Sequence, residues 1–274
     1  MAELSDRIGV IGGSGLYALA GTATMDGVLD DAEQVEVETP YGPPSDPLVL
    51  GTVAGRSVAF LPRHGNDHRL PPHRIPYRAN LWALRAAGVR QVLAPCAVGG
   101  LQPSQAPGDL VVPDQLVDRT TGRVQTYHDD WSGRDAVHVS FADPYCPHGR
   151  AAAVKAAADR GWNVTDGGTM VVIEGPRFST RAESEHYSRQ GWSVINMTGH
   201  PEAVLARELA LCYTSIALIT DLDAGVHGGE EVSMEAVFAL FREKTDELRT
   251  TLFDVIARLP IDRSCPCAHD LELP

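Results

Sequence analysis

The chain around Glu174–Asp223 carries three polar clusters, each placed directly after an apolar run of strand length. The clusters are EGPRFSTRAE at 174–183, NMTGHPE at 196–202 and TDLDAGV at 220–226. The apolar runs are Met170–Ile173, Ser193–Asn196 and Tyr213–Thr220. Such near-continuous apolar strands are typical of a sheet that helices cover on both faces, and ligands bind such sheets at the carboxyl ends of the strands. The stretch therefore predicts an α/β fold with an active site assembled from strand ends.

The rest of the chain repeats the strand pattern and adds two clear helices. Further strands are predicted at Arg7–Ile11, Leu48–Leu50, Thr52–Val53, Ser57–Leu61, Gln91–Ala97 and Asp109–Leu116. A helix follows Pro76 in YRANLWALRAAG, where Gly88 suits a left-handed cap, and a final helix is predicted over 234–259 with Ser233 as its cap. No repeat or linker divides the chain. We expect a single domain over residues 1–274, with a central mixed, largely parallel β-sheet flanked by helices.

Composition restricts the class of protein. The 274 residues are 43% hydrophobic, which is enough for one large core, and the formal charge of -13 argues against a nucleic-acid partner. The sequence contains no apolar run of about 18 residues, the length that a membrane-spanning helix needs. The first residues, MAELSDRIGV, lack the basic-then-apolar order of a secretory signal. Five unevenly spaced cysteines do not form a disulfide scaffold in so long a chain. A cytoplasmic enzyme with mostly reduced, buried cysteines is expected.

Four segments together resemble the trimeric class of purine nucleoside phosphorylases. They are Glu174–Asp223 and the segments IGVIGGSGLY at 8–17, FLPRHGNDH at 60–68 and VVPDQLVDRTTGR at 111–123. The resemblance extends from about Ile8 to Gly225 and is greatest to members that act on 5'-methylthioadenosine. It implies the nucleoside phosphorylase fold, a homotrimer, and a glycosyltransferase of the pentosyltransferase type in purine and methionine salvage. Phosphate would be the co-substrate, and neither a metal nor an organic cofactor is implied.

The candidate anion site combines distant parts of the chain. A glycine-rich turn around Ser14 can direct backbone N–H groups at an anion, although a simple tight turn has about equal claim. Arg63 offers a planar fork of donors. The resemblance makes the following residues phosphate ligands: Ser14, Arg63, His64, Cys96, Ala97 and Thr198. Cys96 departs from the family, where a threonine hydroxyl is usual, so the backbone N–H of Ala97 would replace part of that contact.

Two groups of residues could suggest a metal, and neither is predicted to bind one. His64, His68 and His73 are separated by glycine and prolines, so they do not share a helix face. His68 and His73 are expected in a solvated loop. The tail segment CPCAH at 265–269 has too few ligands for a closed zinc site, so free thiols are favoured there, with a disulfide as the next interpretation.

The base site is predicted from Phe178, Asp221 and Asp223. Phe178 would stack on a purine, although an isolated phenylalanine is more often a core residue. Residues two apart in a strand share a face, so Asp221 and Asp223 present their carboxyl groups together if strand geometry continues past Thr220. Burial and like charge raise the pKa of such carboxyl groups, which would make Asp221 a general acid toward N7. The alternative is an Asp-rich turn that caps a strand.

The ribose and its 5' substituent are assigned mainly by the resemblance. Met197 would lie against the ribose, and His138, Val232 and Val237 would line the 5' pocket. His200 departs from the small or apolar residue that is usual in the family. Phe141, Pro144 and Tyr145 make their segment too apolar for an ordinary exposed loop, and the resemblance implies that it reaches toward a neighbouring subunit.

The function predicted is phosphate-dependent cleavage of 5'-methylthioadenosine, or a related 5'-modified adenosine, to adenine and a 5-substituted ribose 1-phosphate. The pair Asp221 and Asp223 favours a 6-aminopurine, because carboxylates accept hydrogen bonds from an exocyclic amine. A phosphorylase of 6-oxopurine nucleosides, such as inosine, guanosine or methylthioinosine, is the alternative. A binding protein without chemistry and a nucleoside hydrolase are further classes that the sequence leaves open.

Overall fold

The structure is a computed structural model that describes residues 6–12, 29–129, 137–224, 226 and 232–267. Within these residues, eleven strands form one mixed sheet. They are β1 (Arg7–Gly12), β2 (Asp30–Val35), β3 (Leu48–Val53), β4 (Arg56–Pro62), β5 (Val89–Gly100), β6 (Leu110–Val112), β7 (Gln115–Arg119), β8 (Val164–Asp166), β9 (Thr169–Ile173), β10 (Val194–Asn196) and β11 (Cys212–Leu222). The helices are α1 (Tyr77–Ala86), α2 (Pro147–Asp159), α3 (Arg181–Arg189), α4 (Gly199–Glu208) and α5 (Met234–Arg258), with a 3-10 turn at Pro72–Arg74.

Strand β5 is the centre of the sheet. It pairs in parallel with β1 and β11 and antiparallel with β10, and β1 pairs in parallel with β4. Strands β9 and β10 and strands β7 and β9 are also parallel, whereas β2, β3 and β4 form antiparallel pairs at one edge. All but one residue of β5 are buried, as expected for a strand with helices on both faces. The α/β fold with a mixed, largely parallel sheet is confirmed.

The local signals in the sequence act where they are predicted to act. Pro76 precedes α1, and Gly88 after it has a φ of 88°, the left-handed conformation that glycine adopts without strain. The Ser233 hydroxyl accepts a hydrogen bond from Ala236 N at 3.4 Å, so it caps α5 as predicted. Helix α5 covers 234–258, one residue short of the predicted helix.

One predicted strand is wrong. The run Asp109–Leu116 is divided into β6 and β7 by Pro113 and Asp114. Proline has no N–H to donate to a ladder, and the Asp114 side chain accepts a hydrogen bond from Gly168 N at 2.8 Å instead. The two halves pair with different strands, β6 with β11 and β7 with β9.

The main core lies between the sheet and the helices α2 and α5. Phe241, Leu248 and Leu252 of α5 pack there with Ala153 and Ala156 of α2. Helices α1 and α4 cover the other face with a second cluster. Within the described ranges, no helix combines the length and the hydropathy that a membrane-spanning helix requires.

Candidate active site

A cavity of about 310 Å³ lies at the carboxyl ends of β4, β9, β10 and β11, with β5 as its floor. Its volume is in the range of small-molecule sites. Ten of the residues predicted from the sequence line it: Arg63, His64, Cys96, Ala97, Phe178, Met197, Thr198, Asp221, Asp223 and Val237. The predicted anion, base and ribose residues, which are scattered along the chain, therefore meet at one cavity.

Three predicted residues are not found in the cavity wall. His138 is exposed, and Val232 is half-buried just before α5; neither lines the cavity in this chain. Ser14 lies outside the described residues. The last residue described before it, Gly12, accepts a hydrogen bond from Arg63 N at 2.9 Å, so the chain enters the glycine-rich segment beside Arg63.

Arg63 is held in place by a buried acid. Its side chain is 2% exposed, and it forms a two-point ion pair with Glu202, with Nε–Oε1 at 2.5 Å and Nη2–Oε2 at 3.1 Å. Nη1 donates to Pro95 O at 3.2 Å. Burial opposes the charge, but the Glu202 carboxylate outweighs it, so the pKa of Arg63 is raised. Of the five N–H donors of a guanidinium, the described residues use three, which leaves two for an anion in the cavity.

His64 is a neutral imidazole with a defined tautomer. Its Nδ1 lies 2.8 Å from Leu70 O, and a carbonyl can only accept, so Nδ1 carries the proton and Nε2 is an acceptor. Burial lowers the pKa of His64 to about 3, against the opposing effect of the Leu70 hydrogen bond and with a further lowering by Arg63. His64 can therefore accept a hydrogen bond from a hydroxyl or a protonated phosphate oxygen. The sequence predicts only that His64 is a phosphate ligand, without this acceptor role.

The other anion candidates surround Arg63 without a second charge. Thr198 is buried at the beginning of α4, and its N–H and hydroxyl donate to Asn196 Oδ1 at 2.7 and 3.3 Å. Cys96 is buried with its Sγ 3.6 Å from Ser215 Oγ, and burial raises the pKa of its thiol. Cys96 is thus a neutral thiol, and a thiol is a weak donor.

Asp221 and Asp223 present their carboxyl groups to the same cavity. Burial, with a smaller effect of Asp223, raises the pKa of Asp221 to about 6 although a hydrogen bond from Thr220 opposes it. Thr220 Oγ1 donates to Asp221 Oδ2 at 2.9 Å, and Oδ1 is buried without a partner among the described residues. A carboxyl group with one free oxygen and a pKa near neutrality can hold and deliver a proton.

Asp223 is anchored more firmly than Asp221. The Ser184 hydroxyl of α3 donates to Asp223 Oδ2, and Asp223 is 3% exposed. Burial raises its pKa, while Ser184, the Ala224 N–H and Ser179 lower it. These donors stabilise the carboxylate, so Asp223 is suited to accept hydrogen bonds from a ligand.

Gly99 makes room for the two carboxylates. A Cβ at Gly99 would lie 2.9 Å from Ile195 Cγ2, 3.2 Å from Asp223 Cβ and 3.3 Å from Asp221 Oδ1. Gly99 pairs with Asp221 in the β5–β11 register, next to an irregularity in β11 at Ile219–Asp221. Gly99 therefore allows the close approach of β5 and β11 at the acid pair.

The apolar wall includes a histidine that the sequence placed elsewhere. His68 was expected in a solvated loop, but it lines the cavity, stacked on His64 at 4.4 Å and edge-on to Phe238 at 5.4 Å. Its φ of 55° turns the loop after Gly65 back toward the site. Burial lowers the pKa of His68, with an opposing effect of Asp67. His73 is exposed in the 3-10 turn, as expected.

The family departure at His200 does not face the cavity. His200 is buried, with Nε2 3.3 Å from Asp118 Oδ2. Burial lowers its pKa, with Asp118 raising it and Arg123 lowering it. It therefore supports the junction of β7 and α4 rather than a 5' pocket.

The segment predicted to reach a neighbouring subunit folds into its own chain. Pro144 and Tyr145 are buried, and Tyr145 belongs to the core cluster beneath α1 and α4, where its hydroxyl faces Met170 Sδ at 3.6 Å. Phe141 is half-buried against the same cluster. Their apolar character is explained by this core, so it is not evidence for an interface.

The sequence missed the residues that position the site. Glu202, Asn196 and Ser184 hold Arg63, Thr198 and Asp223, respectively. Glu202 stands in the quoted cluster NMTGHPE, and the one available signal was that a buried arginine requires an acid. Ser184 lies on α3, and nothing in its neighbourhood on the chain indicates a contact with residue 223.

Comparisons with known proteins agree with this geometry. The sequence model of the phosphorylase superfamily matches residues 7–259. The chain is 62% identical to a purine nucleoside phosphorylase of Streptomyces coelicolor, with 98% of this chain and 95% of the relative covered. It is 55% identical to the S-methyl-5'-thioadenosine phosphorylase of Mycolicibacterium smegmatis, with 94% and 93% covered. Methylthioadenosine phosphorylase of Schistosoma mansoni in complex with adenine superimposes with a TM-score of 0.85 at 36% identity, covering 92% of this chain and 91% of that chain.

Proposed function

The chain belongs to the phosphorylase superfamily, and we propose that it cleaves 5'-methylthioadenosine, or a related 5'-modified adenosine, with phosphate. The products are adenine and a 5-substituted ribose 1-phosphate. The enzyme is a pentosyltransferase of the purine nucleoside phosphorylase type. The observation that carries the substrate proposal is the pair Asp221 and Asp223, which lines the same cavity as Arg63.

Phosphate binds at the Arg63 end of the cavity. The two remaining N–H donors of Arg63 and the backbone N–H of Ala97 hold the anion, and Ser14 contributes a hydroxyl group. The Thr198 hydroxyl joins them by turning its proton from Asn196 Oδ1 to the phosphate. His64 Nε2 accepts a hydrogen bond from a protonated phosphate oxygen or from a ribose hydroxyl, since Nδ1 already donates to Leu70. The phosphate then approaches C1' on the face opposite the base, and its charge stabilises the oxocarbenium-like state that forms as the glycosidic bond loosens.

Asp221 supplies the proton that adenine needs to leave. Its pKa of about 6 keeps a useful protonated fraction near neutral pH, and donation to N7 makes the departing base neutral. Phe178 and Met197 give the base and the ribose apolar surfaces to lie against. No metal or organic cofactor takes part in this scheme.

The 6-amino preference follows from Asp223. A carboxylate held by Ser184 and the Ala224 N–H accepts a hydrogen bond from an exocyclic amine, whereas a 6-oxo group would present a second acceptor to it. The alternative is a 6-oxopurine nucleoside phosphorylase; the Streptomyces coelicolor relative is named a purine nucleoside phosphorylase, a name that covers either kind of base.

The assembly and location belong to the proposal as well. The homotrimer rests on the resemblance to the trimeric class. His138 is exposed and lies outside this chain's cavity, so its role in a 5' pocket requires a neighbouring subunit. Val237, which lines the cavity, would provide apolar surface for the 5' substituent from α5. Val232, which does not line this chain's cavity, belongs to the pocket by the resemblance alone. A cytoplasmic location is supported by the five free cysteines, which suit a reducing compartment.

Release of the free base from a substrate panel tests the function. Adenine should be released rapidly from 5'-methylthioadenosine and only when phosphate is present, whereas inosine and methylthioinosine should be poor substrates. Faster cleavage of inosine would establish the 6-oxopurine alternative. Base release that is independent of phosphate would establish a hydrolase, and no release from any nucleoside would leave a binding protein.

A further inference from the structure

Four of the five cysteines lie close together in the structure, although they come from three separate segments of the chain. Cys146 precedes α2, Cys212 is the first residue of β11, and Cys265 and Cys267 follow α5. Their four Sγ atoms lie within 4.8 Å of one another, and all four side chains are buried. The Cys265 Sγ lies 3.7 Å from that of Cys146 and 3.3 Å from that of Cys212.

This spacing matches a tetrahedral metal site. Zn²⁺ binds four thiolates at about 2.3 Å, which places the sulfurs of a tetrahedron about 3.8 Å apart. A disulfide would require one pair of sulfurs at about 2.05 Å, and the five cysteines are free. Four thiols at mutual contact without bonds gain little, because S–H groups are weak donors, whereas one ion satisfies all four at once.

The chemistry of the four ligands selects the ion. The cluster consists of cysteines alone, and soft thiolates prefer Zn²⁺ to Mg²⁺ or Ca²⁺. Cys146 is the N-cap residue of α2, and the positive end of the helix dipole favours the thiolate that a metal needs. With four protein ligands no coordination position remains open, which is the pattern of a structural rather than a catalytic zinc.

We propose that Cys146, Cys212, Cys265 and Cys267 form a structural Zn²⁺ site that fastens the segment after α5 to β11 and α2. On binding, the four thiols release four protons to solvent, and the site carries two negative charges in total. None of the four cysteines lines the candidate active site, so the proposal is independent of the proposed function. It reverses the expectation from the sequence, in which the tail had too few ligands, because Cys212 and Cys146 join Cys265 from 53 and 119 residues away.

Metal content tests the proposal directly. The full chain, purified under reducing conditions from cells grown with zinc, should contain one zinc per chain by elemental mass spectrometry. Cys212→Ser and Cys267→Ser should each lose most of it. Cys96→Ser is the matched control for metal content, since Cys96 is buried like the others but stands outside the cluster, and it should keep its zinc.

A second measurement uses the wild-type protein, so its result does not depend on whether the cysteine variants fold. The wild-type protein is freed of metal with a chelator and titrated with Zn²⁺ alone, and its melting temperature should rise with a one-to-one endpoint. Replacement by Co²⁺ should give the charge-transfer absorption of cobalt thiolates. A reduced wild-type chain that takes up no zinc or cobalt would overturn the proposal. So would alkylation and mass mapping that finds these cysteines joined in disulfides in the protein as it leaves the cell.

Discussion

The ionisation of Asp221 sets the pH range of the proposed reaction. Because burial raises its pKa to about 6, the folded enzyme keeps the proton up to about pH 6 and loses it above. We therefore expect kcat/KM for 5'-methylthioadenosine to fall as the pH rises through and beyond 6. A rate profile in the pH range around that value, at saturating phosphate, measures this limb.

The matched control is Asp221→Asn, whose amide cannot supply the proton. It should lose about 10²-fold or more in kcat/KM, in the range usual for a general acid. The pH profile of its residual activity should show only the ionisation of phosphate. Wild-type rates in this variant would remove Asp221 from the acid role.

Arg63 and Glu202 should behave as a unit. Arg63→Ala leaves a carboxylate buried without its partner, so we expect the free energy of unfolding to fall by about 3–5 kcal/mol. In the double variant Arg63→Met with Glu202→Gln, the charge is gone and the amide can still accept the hydrogen bond from Tyr213, which is 2.8 Å in the native protein. Denaturant unfolding should show most of the stability regained.

Phosphate binding separates the two roles of Arg63. Calorimetry with phosphate should give weak or undetectable binding to both variants, because both lack the guanidinium. If the double variant binds phosphate as the native protein does, Arg63 positions the fold and does not hold the anion.

Gly99 should tolerate no side chain. In Gly99→Ala the methyl group would lie 2.9 Å from Ile195 Cγ2 of β10, 3.2 Å from Asp223 Cβ and 3.3 Å from Asp221 Oδ1, so Ile195 must move and the acid pair is crowded. We expect a loss of nucleoside turnover larger than the loss of stability, since the acid pair is displaced. Gly55→Ala is the contrasting variant: nothing lies within 4 Å of the added Cβ there, and its cost comes from the φ of 73° alone. Equal turnover in Gly99→Ala and the native enzyme would contradict the close approach.

At the scale of the element, adjacent turns of α5 contribute one side chain to the main core and one to the cavity wall. Phe241 is fully buried in the main core, while Phe238 faces the cavity and contacts His68. Phe241→Ala should cost about 3–5 kcal/mol of unfolding free energy. Phe238→Ala should cost less stability and should raise KM for the nucleoside. Thermal unfolding and steady-state kinetics on the pair distinguish the roles, and matching effects of the two changes would contradict this division of the helix.

The elements that were predictable are those with a local signal. Strand β5 and helices α1 and α5 follow from apolar runs and from their caps, Gly88 and Ser233. Helices α2, α3 and α4 were not predicted. The sequences of α3 and α4 are short and carry few apolar residues or a His-Pro pair near the beginning. The site residues that touch the cavity were predictable through the family motifs, whereas their supports depend on contacts across the sheet. Ser184 and Asp223, 39 residues apart, show why such partners stay hidden in a sequence.

At the scale of the whole molecule, the proposed trimer is the prediction most open to test. Sedimentation at working concentration should give a mass about three times 29.4 kDa. His138→Ala should raise KM for the nucleoside in the assembled enzyme, because the exposed His138 would complete a neighbour's pocket. An active monomer, or an unchanged KM in the variant, would show that each chain forms its own site.

The parallel pairing of β5 with β11 also fixes the order of events during synthesis. Gln91 of β5 pairs with Cys212 of β11. Because β11 leaves the ribosome more than a hundred residues after β5, one edge of this buried, apolar strand stays unpaired during that part of synthesis. An unpaired apolar edge is a site for aggregation. Nascent chains should therefore depend on chaperones until residue 222 has emerged, and chains that terminate before β11 should accumulate as insoluble fragments without a purine site.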